Sequence, residues 1–248
     1  MNKEDYIFGT RAVIEAIRNG RSIDKILIKK GLDNELFNTL FPLIKEHNIN
    51  FNFVPVEKIN RITRKNHQGI LAFLSPVDFA DIEIVLPGLF EAAKNPFILM
   101  LDRITDVRNF GAIIRSAECA GVDAVIIPEK GMARIGADAV KTSAGALNYL
   151  PVCKSPNLKE TIQFLKNSGI KIVAASEKAD KLYTSATMDI PLCIIMGAED
   201  QGISPSILQM TDEQVRIPLY GEIDSLNVSV AAALMIFEAV RQRNSVAN

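Results

Sequence analysis

Five short runs, apolar almost throughout, govern what this chain can fold into: Phe97–Leu101, Ala124–Ile127, Lys171–Ala175, Leu192–Met196 and Val215–Ile217. Each is strand-sized, and helical patterns separate them near Ile113–Ala120, Ala137–Leu147, Leu158–Asn167 and Pro205–Met210. A strand that is apolar on both sides must be covered on both sides. Strands that alternate with helices pair in parallel through crossovers. The expected fold class is therefore α/β, with a mostly parallel sheet. Ligands of such sheets bind beyond the carboxyl ends of the strands.

The first 75 residues have a different rhythm. Thr10 is expected to cap a helix Arg11–Asn19 that Gly20 ends, and Lys25–Lys29 reads as a strand. Asp33 is expected to cap an amphipathic helix to about His47, kinked at Pro42. Phe51–Val54 reads as a strand, Val56–Ile62 as a short helix and Gly69–Leu74 as another strand. Pro76, Pro87-Gly88 and Asn95-Pro96 punctuate the passage to the stronger strands. The expected organisation is a small N-terminal α/β domain over 1–76, a linker over 77–95 and a larger domain over 96–248.

Composition excludes several classes. No apolar run approaches the ~18–20 residues that cross a bilayer, and Met1–Tyr6 has no apolar signal core, so a cytoplasmic location is expected. Cys119, Cys153 and Cys193 lie far apart in apolar surroundings and read as buried free thiols; no Cys/His spacing suggests a metal. A net charge of −1 argues against non-specific coating of nucleic acid. Residues 1–80 nevertheless hold twelve Lys and Arg against nine Asp and Glu. Lys58, Arg61, Arg64 and Lys65 cluster there with His67 beside them, either a solvated helix end or a phosphate-contacting patch.

Three strand ends carry the chemistry. After Phe97–Leu101 comes Asp102-Arg-Ile-Thr-Asp-Val-Arg-Asn-Phe-Gly, after Leu192–Met196 comes Gly197-Ala-Glu-Asp-Gln-Gly, and after Val215–Ile217 comes Pro218-Leu-Tyr-Gly followed by Ser225-Leu-Asn. Each delivers glycine with carboxamide, carboxylate, hydroxyl or guanidinium to one edge of the sheet, which makes a site there the default. Asn109, Ser225 and Asn227 also suit plain helix caps. Arg115 stands on an otherwise small and apolar helix, fit for a structural ion pair or a phosphate clamp. The glycines of 197–202 allow close backbone approach, but the spacing matches neither a dinucleotide fingerprint nor a phosphate loop. From Val228 the chain is apolar on every helical face, so it must be buried all round, against its own core or a second subunit.

Asn109-Phe-Gly-Ala-Ile-Ile-Arg-Ser-Ala, Gly197-Ala-Glu-Asp-Gln-Gly and Ile217-Pro-Leu-Tyr-Gly with Ser225-Leu-Asn-Val-Ser-Val-Ala resemble the three ordered motifs of the SpoU/TrmH family. These are S-adenosylmethionine-dependent RNA ribose 2′-O-methyltransferases. Tyr6-Ile-Phe-Gly-Thr-Arg-Ala-Val-Ile-Glu-Ala and His67-Gln-Gly-Ile resemble the substrate-binding domain of its RlmB-like branch. The resemblance implies an α/β-knot catalytic domain, a homodimer that uses the C-terminal helix, and an N-terminal RNA-binding domain contacting RNA through Lys58, Arg61, Arg64, Lys65 and His67. It implies cofactor contacts from Gly197, Ile217 and Leu226, with Ser143 and Gly145 of the loop at Lys141 lining the same pocket. Catalysis falls to Asn109, Arg115, Glu199, Ser225 and Asn227. The implied substrate is a guanosine of 23S ribosomal RNA. The alternatives are a tRNA methyltransferase or a non-catalytic RNA-binding protein of the same fold. The chain departs from the pattern at Asp106-Val107, where the family usually has Asp-Pro.

Overall fold

The structure, a computed structural model, describes residues 6–47, 49–133 and 135–246. It divides into two compact units, Met1–Asp78 with Ile135–Ala137, and Phe79–Arg134 with Asp138–Asn248.

The first unit contains β1 (Tyr6–Phe8), α1 (Thr10–Arg18), β2 (Ile23–Lys29), α2 (Glu35–Glu46), β3 (Phe51–Val54), α3 (Val56–Asn60) and β4 (Ile70–Leu74). Its four-stranded sheet has the order β1-β4-β2-β3, with only the β2–β3 pair parallel. Alternation along the strands splits the core. Ile26, Ile28, Ile70 and Ala72 meet α1 and α2, whereas Leu27, Leu71 and Val54 meet Ile59 of α3. Three expected details change. Gly9, at φ +90°, occupies the cap position of α1, so Thr10 is its first helical residue and its hydroxyl is buried without a partner. Asn34 rather than Asp33 caps α2, its Oδ1 accepting from Phe37 N at 2.9 Å, and the helix runs on through Pro42. His67 is buried rather than displayed. Its Nδ1 accepts from Gly69 N at 3.0 Å, which leaves Nε2 as the donor to Asn60 Oδ1 at 2.8 Å. The imidazole thereby ties the Gln68–Gly69 turn, both residues at positive φ, to the end of α3.

The second unit contains β5 (Phe79–Ala80), α4 (Ile82–Glu91), β6 (Phe97–Asp102), α5 (Val107–Cys119), β7 (Ala124–Pro128) and α6 (Ala137–Thr142). It continues with β8 (Val152–Ser155), α7 (Leu158–Asn167), β9 (Lys171–Ala175), β10 (Leu192–Gly197), α8 (Pro205–Leu208), β11 (Glu213–Val215) and α9 (Val228–Val246). Every pair in the seven-stranded sheet is parallel, in the order β11-β9-β10-β6-β7-β8-β5. The stretch expected as a linker is structured. β5 pairs with β8, Asp81 caps α4 by accepting from Glu83 N, and Ile82 and Leu86 enter the core with Ile98, Met100 and Ile162.

Helix α6 stops at Thr142, short of the expected Leu147, because Ala144 and Gly145 adopt φ +51° and +88°. The last strand begins two residues earlier than expected, at Glu213. Lys171 at 2.7 Å and Lys181 bind that carboxylate, and Lys166 binds Asp212 at 2.7 Å. Cys153 and Cys193 are buried, and burial, with the Asp81 charge, pushes the Cys153 thiol up to about 12. Cys119 is exposed at the end of α5, contrary to expectation.

Helix α9 packs on α5 and buries Val228, Ala232, Met235, Ile236 and Ala239. Its all-round apolar character leaves Val230, Leu234 and Phe237 exposed along one stripe. Arg243 locks its far end by donating to the carbonyls of Asn95, Pro96, Met188 and Ile190 and lying over the Phe97 ring. No helix among the described residues is long and apolar enough to cross a membrane.

Candidate active site

Strands β6 and β10 are neighbours, and Gly197 stands directly opposite Asp102 at their carboxyl ends. The strand order reverses at this pair, since β7 and β8 lie on one side and β9 and β11 on the other. A crevice opens at such a point in a parallel sheet.

After β6 the chain turns to Asp106, whose Oδ1 accepts from Arg108 N and Asn109 N, each at 2.8 Å. Asp106 thus performs the capping, so Asn109 need not. Val107 takes the first helical position, where proline is otherwise favoured, and the helix starts without it. The Asn109 side chain is free to reach across to the second loop, and its Nδ2 donates to Glu199 Oε2 at 3.0 Å. From the third loop, Asn227 Nδ2 donates to Asn109 Oδ1 at 2.9 Å and to Glu199 Oε1 at 3.3 Å. Asn227 Oδ1 accepts from Ser229 N at 3.0 Å and Ser229 Oγ at 2.5 Å, so the same residue caps α9. An amide NH₂ only donates, and each Glu199 oxygen accepts from one of the two asparagines.

The second loop folds back on itself to present Glu199. Ala198 N donates to Gly202 O at 3.1 Å and Gly202 N to Ala198 O at 2.8 Å. A Cβ on Gly197 would come within 2.2 Å of Gly202 C and Ile203 N, so only glycine fits there. The buried Asp102 fastens the loop's end, its Oδ2 accepting from Ser204 N at 2.7 Å and Ser204 Oγ at 2.6 Å.

Two clefts meet at this point. The larger, about 320 Å³, is lined by Gly197, Ile217, Ser225 and Leu226 with apolar walls from Met196, Ile203 and Leu208. The smaller, about 280 Å³, is lined by Ile104, Thr105, Asp106 and Asn109. Glu199, Asp200 and Val228 border both.

Other expected residues lie elsewhere. Ser143 is fully buried, its Oγ donating to Val140 O at 2.9 Å, and neither it nor Gly145 lines either cleft. Their loop serves packing instead: a Cβ on Gly111 of α5 would sit 2.5 Å from Thr142 Cβ. Arg115 is exposed on α5, six residues and about 9 Å along the helix from Asn109. It makes no ion pair among the described residues. A fourth strand end also lines the larger cleft: Ala175, the last residue of β9, with Ser176, Glu177 and Lys178 after it. The signal was available, because β9 belongs to the same parallel sheet and ends in a polar pair at the same edge.

An all-parallel sheet with amide, carboxylate and glycine loops at its strand-order reversal defines a class of ligand-binding α/β domain, which comparison with known proteins makes specific. Residues 96–237 match the SpoU rRNA Methylase family, and residues 6–80 match the domain described as RNA 2'-O ribose methyltransferase substrate binding. A curated relative, the putative TrmH family tRNA/rRNA methyltransferase of Staphylococcus saprophyticus, is 35% identical over 98% of each chain. Among solved structures, the SpoU methyltransferase AviRb from Streptomyces viridochromogenes in complex with AdoMet superposes with a TM-score of 0.61 at 23% identity, covering 97% of this chain and 90% of that one. The A. aeolicus TrmH/SpoU tRNA modifying enzyme gives a TM-score of 0.57 at 29% identity, over 67% of this chain and 86% of that one. The chain belongs to the SpoU family of RNA methyltransferases.

Proposed function

We propose that this protein transfers the methyl group of S-adenosylmethionine to a ribose 2′-hydroxyl of RNA, with a guanosine of 23S ribosomal RNA as target. The observation that carries the reading is the Asn109–Glu199–Asn227 constellation, built from three loops where two clefts meet. The larger cleft suits the cofactor. Its apolar walls match an adenine and the methylenes of the methionine chain, and the backbone at Gly197 comes close because no side chain intervenes. The smaller cleft, with Asn109 and Thr105, would take the ribose.

When bound, the cofactor would supply an electrophilic methyl on a positively charged sulfur: the C–O bond would form as the C–S bond breaks, its electron pair leaving with sulfur as the neutral thioether and the hydroxyl proton passing to solvent. The chain's residues must align the oxygen and stabilise the charge that develops on it. Alignment alone contributes up to ~7–11 kcal/mol in favourable cases. Asn109 and Glu199 hold the ribose side, while Ser225 borders the cofactor side. Arg115 is a poor base, since a guanidinium carries donors and no acceptor. Its displacement along α5 suits a phosphate flanking the target ribose, from which it stabilises the developing alkoxide.

Lys58, Arg61, Arg64 and Lys65, all exposed, are the proposed RNA contacts of the first unit. The stripe Val230, Leu234 and Phe237 is the proposed homodimer contact, in a cytoplasmic enzyme. The knotted path implied by the motifs would account for three separate segments, 175–178, 196–205 and 215–231, walling one cleft.

Methyl transfer from labelled S-adenosylmethionine tests the reading, with unmodified 23S RNA, precursor particles and bulk tRNA as acceptors and the product mapped to base or ribose. Ribose label in 23S RNA, lost in Arg115→Ala, is expected. Label on tRNA alone would move the target, as the joint tRNA/rRNA name of the relatives leaves room for. Label on a base would overturn the reaction assigned.

A further inference from the structure

We infer that Arg103 is a positioning residue for the larger cleft, acting through the Gln201 amide and the Gly202 carbonyl; the inference rests on the proposed use of that cleft for S-adenosylmethionine. Arg103 stands at φ +63°, in the left-handed region where a residue with a Cβ is disfavoured and glycine is at ease. The turn carries an arginine all the same, and its guanidinium makes three hydrogen bonds, two of them to the neighbouring loop. Nε donates to Asp102 Oδ1 at 3.2 Å, Nη1 to Gln201 Oε1 at 2.9 Å and Nη2 to Gly202 O at 3.3 Å.

The path of that loop does not need Arg103. Asp102 already holds Ser204 through the backbone and the hydroxyl, and Ala198 and Gly202 exchange two backbone hydrogen bonds. What Arg103 adds is orientation. A guanidinium has donors only, so the Gln201 amide must turn Oε1 toward it and leave Nε2 to donate elsewhere. Gln201 and Gly202 both line the larger cleft. The arginine therefore fixes which end of an amide a cleft ligand meets, from outside the set of residues that touch it.

Arg103→Gly tests this, because it removes the guanidinium while giving the left-handed backbone the residue it favours. The binding of S-adenosylmethionine to wild type, Arg103→Gly, Arg103→Lys, Gln201→Ala and the double variant would be measured by calorimetry. Melting temperatures and the separate KM and kcat for methyl transfer would accompany it. Arg103→Gly is expected to melt no lower than wild type yet bind the cofactor about tenfold more weakly, a loss of ~1.4 kcal/mol. Most of the kinetic loss should appear in KM for the cofactor. Gln201→Ala should reproduce the effect, and the double variant should be no worse than either single one, as for two residues in one chain of contacts. Arg103→Lys should recover part of the affinity. Wild-type cofactor affinity in Arg103→Gly would overturn the inference, as would a loss that merely tracks a lowered melting temperature. If wild type itself bound no S-adenosylmethionine, the cofactor reading would fail first and this inference with it.

Discussion

The loops at the carboxyl edge of the large sheet and the basic run Lys58–His67 of the first unit both announce chemistry in the sequence, yet they fold to different ends. At the sheet edge, side chains from loops far apart in the chain meet: Asn109, Glu199 and Asn227 bond to one another within 3.3 Å. In the basic run, the residue with the most distinctive chemistry turns inward. His67 is 8% exposed and serves a turn, leaving four ordinary cations on the surface. A strand end has its position dictated by sheet topology, so its polar residues have a destination. A charge run has no such constraint, and composition cannot tell its structural members from its displayed ones.

The sharpest way to break that contrast is Glu199→Ala. Both amides lose their shared acceptor, so turnover should fall by about 10²-fold or more, while the melting temperature stays near wild type because Glu199 is exposed. Unaltered turnover with a lowered melting point would make the constellation a mere strut. Gly197→Ala should come next, since its Cβ meets backbone rather than a movable side chain. Denaturant unfolding should show a loss of about 1–3 kcal/mol, with weaker cofactor binding.

His67→Ala should behave in the opposite sense to Glu199→Ala. It orphans Gly69 N and Asn60 and should cost about 1–3 kcal/mol of stability. Methylation of saturating RNA by the folded fraction should persist. Lys58→Ala and Arg61→Ala should each leave stability alone and reduce the slope of log affinity for RNA against log salt by about 0.7–0.9. The smallest effect concerns acid. Burial alone would raise the Asp212 and Glu213 carboxyls, but bonds from Lys166 and Ile172 N, and from Lys171 and Lys181, hold both below their ordinary values of 3.8 and 4.5. A carboxyl lowered on folding contributes stability above its unfolded value and loses it as pH falls through the folded one. Asp212→Asn and Glu213→Gln should therefore destabilise at neutral pH, and the difference from wild type should narrow as pH falls past the ordinary values toward the lower folded ones, as read from unfolding curves at pH 3 to 7.

Much of the second unit was legible because an apolar run between helical patterns has few other places to go. The runs at 97–101, 124–127, 171–175 and 192–196 all became strands of one parallel sheet, and the convergence of their loops followed from topology. The misses arise where local signals compete. Asn109 and Asp106 both suit a helix start, and only the geometry shows that Asp106 takes the cap and frees Asn109. Pro87 suggested a linker, but a helix whose Ile82 and Leu86 find a core tolerates a proline on its solvent side. Ser143 and Gly145 matched a pocket-lining loop, whereas the close approach of Gly111 to Thr142 makes that loop a packing element. Arg103 left no sequence signal at all, because a left-handed turn is not encoded by an arginine.

The central claim is that three separate strand ends act as one unit, and a double-mutant cycle on methyl transfer tests it most directly. Asn109→Ala, Asn227→Ala and the double variant would be compared by kcat/KM. If the loops form one constellation, the double variant loses no more than the worse of the two single ones. Losses that multiply independently would mean that the two asparagines serve separate purposes, and that the hydrogen bonds joining them are incidental to catalysis.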